Sequence, residues 1–556
     1  MTKNATNLVV QALAGTGKTT TLTWGLAKLF GPKLWATLVR NEGFEPIPSP
    51  QQSAIWEALA EGKLPRSITY AAFNRSIVND FSAKYSWLVE ALADVGVSLQ
   101  FKTCHQLGFA AVCKAYKINF RQIDRFKTRT LLEEYLDVDL REFTKDEGNA
   151  VLVKAVEDLV SKCKLTMTEP TPENLDNLVN HFGIEINGGR DEAFRLVPIL
   201  LDKSRDPSVC KRFIDFDDQV WLPTVNKLSI WAADLLLGDE AQDWNHAQQE
   251  IILKAGKRYC VVGDVNQAIY GFAGADVDSI PNMTKRLEAT GPVKVLPLTQ
   301  TRRCGKAIVK EAAKIVPSFE AHESNNPGKI ESMPLEKVME VAQDGDLLAC
   351  RVNAPLCSVA FRLLKAGKKA NIQGRSIGDG LVKLIDKLMG KKRSSVGDLI
   401  EAVDDWYQRE AQKIARRKNA DDAAMIALQD KRDCVLAFTD GALTVKEVKD
   451  RIAETFRGKQ CPKCKASFNE EASGCNRCKE KVAGQRYPVP VKLVQPEGIL
   501  LTSIHRAKGL EADRVFILEP GLLPHPMART AWAKGQEMNL KYVAVTRAIQ
   551  NLVWVD

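Results

Sequence analysis

The sequence predicts an α/β fold of several domains, built on parallel sheets with helices on their faces. Three observations lead there. The chain has 556 residues, too many for one hydrophobic core. A short apolar run, Asn7 to Leu13, meets a glycine loop and then a helix-like stretch, TLTWGLAKLF. Two later apolar runs, Asp234 to Gly238 and Tyr259 to Val262, end in acidic and amide side chains. Ligands sit at such strand tips in open parallel sheets.

The loop is Ala14-Gly15-Thr16-Gly17-Lys18-Thr19-Thr20. Strand, glycine loop and helix in this order form a phosphate-binding loop. Glycines let backbone N–H groups turn in around phosphate oxygens, and the helix N-terminus adds partial positive charge. ATP and Mg²⁺ are therefore the expected cofactors. Lys18 is expected on the β- and γ-phosphates, and the Thr19 hydroxyl on Mg²⁺. The first glycine of the common pattern is Ala12 here. The run Asp239-Glu240-Ala241-Gln242-Asp243 follows the second strand. Asp239 is expected to help hold Mg²⁺, and Glu240 to act as the base on the attacking water. Gln267, just past the third strand, can touch the γ-phosphate and report its loss.

DEAQD followed by VGDVNQAIYGF resembles motifs II and III of the UvrD/Rep-like group of superfamily 1 helicases. Further motifs follow the same resemblance: AAFNRS around Phe73, KTCHQL with Thr103 and His105, and IDFDDQVWLP from Ile214 to Pro223. LTQTRRC with Arg303, LLTSIHRAKGLEADRVFIL from Leu500 to Leu518, and EMNLKYVAVTRA from Glu537 to Ala548 complete the set. The wording is most similar to phage-encoded helicases and F-box-containing DNA helicases. The resemblance implies two RecA-like P-loop NTPase domains with ATP in the cleft between them, each with an inserted, mainly helical subdomain. By position, Arg303 and Arg547 should stabilise γ-phosphate charge, with Arg302, Gly509 and Glu511 also near the nucleotide and Glu511 on its ribose. Phe73, Tyr270 and Phe272 should stack on bases, and Thr103, His105, Thr502 and His505 should contact the strand. The implied activity is an ATP-dependent DNA helicase or translocase on single-stranded DNA, moving 3′→5′, in replication, repair or recombination.

The chain departs from the family pattern at three places. Arg302 replaces the tyrosine that usually precedes the motif IV arginine, and Ala273 replaces the arginine after the motif III aromatic. The adenine-reading glutamine normally precedes the P-loop. Here a similar phrase, SPQQSAIWEAL, follows it at Ser49 to Leu59. Gln51 or Gln52 takes that role, or the phrase is a plain helix start, the reading preferred here.

The resemblance divides the chain into a first motor domain at 1–114 and 212–292 with an insertion at 115–211, and a second at 293–390 and 490–556 with an insertion at 391–489. The second insertion is shorter than the family's usual one. Its runs Lys391-Lys392-Arg393 and Arg416-Arg417-Lys418 read as solvated helix faces or, alternatively, duplex contacts. Within it, Cys461-x-x-Cys464 and Cys475-x-x-Cys478 are separated by ten residues. Two such knuckles bring four thiolates onto one tetrahedral Zn²⁺, a small structural zinc ribbon. Lys463, Lys465, Arg477, Lys479 and Lys481 surround it, so it reads as a nucleic-acid contact or a plain structural clip.

Hydrophobic residues make up 45% and charged residues 26%, which excludes a disordered chain. A net charge of +9 permits a polyanionic partner without establishing one. There is no apolar run of membrane-spanning length. The N-terminal apolar stretch runs into the phosphate loop and is not read as a signal peptide. Nine of the 13 cysteines are scattered, as in a reduced, cytoplasmic protein of a bacterial or phage-infected cell. No nuclease domain is expected after the closing NLVWVD. Single-stranded DNA, single/double-strand junctions and replication or recombination proteins are the expected partners, with RNA left open. Two rival functions remain at this level: a translocase that strips proteins without unwinding, and a slow ATP-gated nucleic-acid-binding switch.

Overall fold

A computed structural model describes residues 6–73, 75–186, 189–269, 278–390, 395–415, 422–464, 466–468, 474–480, 489–492 and 497–556. Tyr270, Phe272, Ala273, Lys465, Lys481 and the basic runs at 391–393 and 416–418 lie outside the described residues. The chain divides into two units, Met1–Thr299 and Gln300–Asp556.

The first unit is built on six strands: β1 (Asn7–Ala12), β2 (Ser67–Ala72), β3 (Ser98–Thr103), β4 (Leu235–Asp239), β5 (Tyr259–Gly263) and β6 (Val293–Leu298). They form one sheet in the order β3-β2-β4-β5-β1-β6, with every pair parallel. β4 and β5 are buried throughout. Near-continuous apolar runs are what a parallel sheet covered on both faces requires. Leu8, Val10, Tyr70 and Leu237 pack one face, and Val9, Leu236 and Val261 the other.

The second domain was expected to begin at 293. Its presumed first strand instead pairs with the free edge of β1, from Asn7 against Val293 to Ala12 against Leu298. Satisfying that open row of backbone groups keeps β6 in the first sheet, and the unit boundary falls after Thr299.

The first insertion is helical, with Lys127–Leu136, Glu147–Thr166, Pro172–Phe182 and Arg190–Arg205 as its longer helices. Their apolar faces form a separate core around Leu132, Val156, Leu159, Leu196 and Leu200. A buried ion cluster ties it to the re-entering helix Asp218–Val225. Lys127 Nζ lies 2.6 Å from Asp218, and Lys164 Nζ 2.5 Å from Asp215 and 2.9 Å from Asp218. Lys127 also donates to the Ser204 carbonyl at 2.8 Å. Such charges are tolerated inside only because each is paired and hydrogen-bonded.

Gly108, on the helix Cys104–Tyr116, lets that helix approach the re-entering helix closely. A methyl group there would overlap the Gln219 carbonyl oxygen. Gly108→Ala is expected to destabilise the first unit by about 1–3 kcal/mol, read as a lowered melting temperature by calorimetry. An unchanged melting temperature would contradict the packing.

In the second unit, β7 (Gln300–Thr301) and β8 (Glu320–Ala321) form a short parallel pair. β9 (Lys329–Met333), β10 (Leu347–Cys350) and β11 (Ala370–Ile372) follow. The cysteine-rich stretch contributes two hairpin-like pairs, β12 (Lys459–Gln460) with β13 (Ser467–Phe468) and β14 (Gly474–Glu480) with β15 (Val489–Lys492). β16 (Ile499–Ser503), β17 (Ala512–Leu518) and β18 (Ala548–Val555) complete the unit. Its main sheet is parallel, in the order β11-β16-β10-β17-β18-β9.

Among the described residues, the helices of the second insertion pack into the core of the second sheet. Leu399, Val403, Val435, Phe438 and Ile452, from its helices Val396–Ala415, Asp422–Ala437 and Val445–Thr455, share one core with Leu348, Ile372 and Phe516 of the sheet. Asp430 adds a polar tie, accepting from the backbone N–H groups of Asn353 and Ala354 and from Asn353 Nδ2, all at 2.7 Å.

Candidate functional site

In the first unit, β5 lies between β1 and β4, so the carboxyl ends of three strands converge. After β1 the chain turns through Gly15 (φ 66°) and Gly17 (φ 80°). Both occupy the left-handed region that glycine enters freely. The turn is braced by the Thr16 hydroxyl, which donates to the Leu13 carbonyl at 2.9 Å. Gly17 caps the helix Lys18–Leu29, and no side chain satisfies its first N–H groups. Ala14, Gly15, Thr16, Gly17 and Thr20 thus surround a helix N-terminus of the kind that receives phosphate.

Lys18 and Thr19 meet the acids of β4 here. Lys18 Nζ lies 2.9 and 3.0 Å from the two carboxylate oxygens of Glu240. The Thr19 hydroxyl donates to Asp239 Oδ2 at 3.1 Å. Burial works against the Lys18 charge, but Glu240, Asp239 and Asp264 outweigh it and raise its pKa. Burial, reinforced by Glu240, raises the pKa of Asp239. Glu240 itself sits at φ 53°, a conformation costing a non-glycine residue about 1–3 kcal/mol. Its backbone N–H donates to Asp239 Oδ1 at 2.9 Å, which fixes the turn. A hydroxyl and a carboxylate side by side at the loop fit a Mg²⁺ site, with Thr19 and Asp239 as the residues to hold it.

Three residues of this site were not singled out from the sequence. The Tyr70 hydroxyl, buried on β2, donates to Asp239 Oδ2 at 2.7 Å. Gln242 donates to Glu240 and accepts from the Asp264 backbone N–H at 3.0 Å. Asp264 accepts from Gln267 Nε2 at 2.6 Å. A chain of hydrogen bonds therefore runs from Gln267 through Asp264 and Gln242 to Glu240. Gly263 leaves room for it, since a Cβ there would stand 2.6 Å from Gln242 Oε1. Gln242 and Asp264 lay within quoted motifs, whereas nothing in the local pattern marks Tyr70.

The phrase Ser49 to Leu59 forms a helix start. Ser49 and Gln52 make a reciprocal capping box with Pro50 at the first turn. Gln52 Nε2 also donates to Thr21 Oγ1 at 3.0 Å. Gln51 accepts from the Thr299 N–H and donates to its hydroxyl, both at 2.9 Å. Both glutamine amides are thus engaged within the first unit.

The second unit gathers its own charged group. Arg303 Nε lies 2.6 Å from Glu511, and Gly509 turns at φ 86° just before it. Arg547 is buried. It donates to the carbonyls of Val543 (2.9 Å) and Leu510 (3.2 Å). Burial, with Arg303 nearby, lowers its pKa to about 10, so it remains cationic at neutral pH. Arg302 is exposed.

The expected strand contacts are scattered in exposure. Phe73 is half-buried at the end of β2. Thr103 is buried, and its hydroxyl caps the helix Cys104–Tyr116 by accepting from Gln106 N at 3.2 Å. Thr502 is buried, donating to Gln373 at 2.9 Å. Burial lowers the pKa of His105. Burial and the adjacent Arg351 charge push His505 down to about 3, which leaves a neutral imidazole.

Cys461, Cys464, Cys475 and Cys478 bring their Sγ atoms within 4.8 Å of one another. Four convergent thiols fit a tetrahedral Zn²⁺. Among the described residues, Phe468 is the apolar side chain packed against them, and a metal would supply what a core does elsewhere. Zinc released on acid denaturation, titrated with a chromophoric chelator, is expected at one ion per chain and to be lost in Cys461→Ser/Cys475→Ser. A metal-free protein purified without chelator would contradict the site.

Two family models match the chain. The UvrD/REP helicase N-terminal domain matches residues 90–288, and the UvrD-like helicase C-terminal domain matches residues 490–555. The phosphate loop precedes the first matched stretch. The ATP-dependent DNA helicase Rep of Escherichia coli K12 is 27% identical over 245 residues, 41% of this chain and 32% of Rep. The ATP-dependent DNA helicase PcrA of Bacillus subtilis 168 is 23% identical over 407 residues, 56% of this chain and 53% of PcrA. The chain thus spans about a third to a half of the length of the curated relatives it matches. Both helicase domain models match in order and the chain carries two parallel sheets, a likeness to the UvrD-like group of superfamily 1 helicases.

Proposed function

We propose that the chain is an ATP-driven DNA helicase that translocates on single-stranded DNA. The observation that carries this reading is the meeting of Lys18 and Thr19 with Glu240 and Asp239 at one set of strand tips. Lys18 exchanges its carboxylate partner for the β- and γ-phosphate oxygens of ATP. Thr19 and Asp239 hold Mg²⁺, which supplies neutralisation of the charge on those oxygens. Glu240 orients a water and accepts its proton as the water oxygen attacks the γ-phosphorus. The bond from that phosphorus to the β,γ-bridging oxygen breaks, and ADP leaves with the electron pair. Gln267, linked through Asp264 and Gln242 to Glu240, reports the loss of the γ-phosphate. The family resemblance assigns Arg303 and Arg547 to the transferred phosphoryl group.

The DNA substrate, its junctions and the 3′→5′ direction follow the family resemblance and the named activity of Rep and PcrA. Strand displacement on tailed duplexes tests them. A 3′-tailed duplex is expected to be unwound in ATP and a 5′-tailed one to remain paired. Unwinding only from the 5′ tail would overturn the direction, and unwinding of RNA alone would overturn the substrate.

A further inference from the structure

We propose that the first helical insertion carries a second contact surface for single-stranded nucleic acid, an aromatic and arginine ridge at residues 117–126. It rests on the reading that a single strand is the partner, and it lies outside the strand tips that carry the motor motifs.

Phe120 is 71% exposed and Phe126 48% exposed, and neither is part of the packed cores. Phe216, 58% exposed, lies two residues from Ile214, whose segment pairs with theirs. Ile123 bridges Ile214, the Asp124 N–H donates to the Ile214 carbonyl at 2.7 Å, and the Ile214 N–H donates to the Gln122 carbonyl at 2.9 Å. These bonds hold the two segments side by side. Three large rings turned to water on two tied segments cost hydration free energy with no return inside the fold.

Basic side chains outnumber acids beside Phe120 and Phe126, whereas Phe216 is flanked by Asp215 and Asp217. Lys114, Lys117, Arg121 and Arg125 are all exposed. Between Lys114 and Arg129 the sole acid is Asp124, whose Oδ1 is occupied as acceptor from the Phe126 N–H at 2.8 Å. The neighbouring Asp217 accepts from the Ser161 hydroxyl at 2.6 Å. The Arg125 guanidinium carbon lies over the Phe126 ring, 4.6 Å from its centroid, a cation–π contact. Rings that accept bases, flanked by cations that accept phosphates, form the platform used for single strands. A duplex hides its base faces, so the occupant is single-stranded.

The test is fluorescence anisotropy of the full chain with labelled oligo(dT), without nucleotide, across a salt series, alongside a duplex of equal length. Phe120→Ser/Phe126→Ser is expected to weaken oligo(dT) binding by about fivefold or more for each lost stack. Arg121→Gln/Arg125→Gln is expected to reduce the slope of log K against log salt by about 1.4. Both variants should keep wild-type ATP turnover at saturating oligo(dT). Wild-type affinity and slope in both variants would overturn the ridge while leaving the motor reading intact. An equal or larger loss on duplex would overturn the single-strand assignment. A wild-type chain that does not bind oligo(dT) would remove both readings.

Discussion

Arg303→Ala is expected to lower DNA-stimulated ATP turnover by about 10³–10⁵-fold, the range for arginines that stabilise a transferring phosphoryl group. The variant is a clean one. Arg303 is partly exposed and its ion pair is with the half-exposed Glu511, a contact whose loss costs about 0–1 kcal/mol. The melting temperature should therefore stay close to wild type, and ATP binding should change only a few-fold. Arg547 is the poorer target. Its buried guanidinium satisfies the Val543 and Leu510 carbonyls, so truncation there confounds chemistry with folding. Steady-state turnover of Arg303→Ala within tenfold of wild type would show that the second unit's arginine does not act on the phosphate.

Glu240→Gln is expected to reduce turnover by about 10²–10⁴-fold, the usual contribution of a positioned general base. Gln preserves the size of the side chain and an acceptor for Lys18 and Gln242, while removing the proton acceptor. It also removes a negative charge that competes with ATP for Lys18, 2.9 Å away. ATP affinity should therefore hold or rise as turnover falls. Equilibrium binding of a fluorescent ATP analogue, set beside single-turnover hydrolysis, separates the two effects. A parallel loss of binding and turnover would point to a structural role for Glu240 instead.

Much of this site could be read from the order of the residues. A glycine loop between an apolar strand and a helix points to phosphate, and Lys18, Thr19, Asp239 and Glu240 meet at that loop. The cysteine pairs were equally legible, because two knuckles leave few ways to place four thiols. Other features depend on tertiary neighbours. Tyr70 reaches Asp239 only because β2 and β4 pair, with Ala72 opposite Asp239. The placement of Val293–Leu298 turned on an open strand edge nearly three hundred residues away in the chain, which no local pattern discloses. The resemblance implied an inserted subdomain at 391–489, and its apolar helix faces complete the core of the second sheet. Thr103 shows a further limit: its motif position pointed to a strand contact, and its hydroxyl is engaged as a helix cap.

The most direct measurement is the steady-state ATP hydrolysis of the full chain, titrated with single-stranded DNA and repeated with Lys18→Ala. The account predicts saturable stimulation by single-stranded DNA, and turnover at background in Lys18→Ala at every DNA concentration. A flat response to DNA, or a Lys18→Ala protein that still hydrolyses ATP when DNA is added, would contradict it.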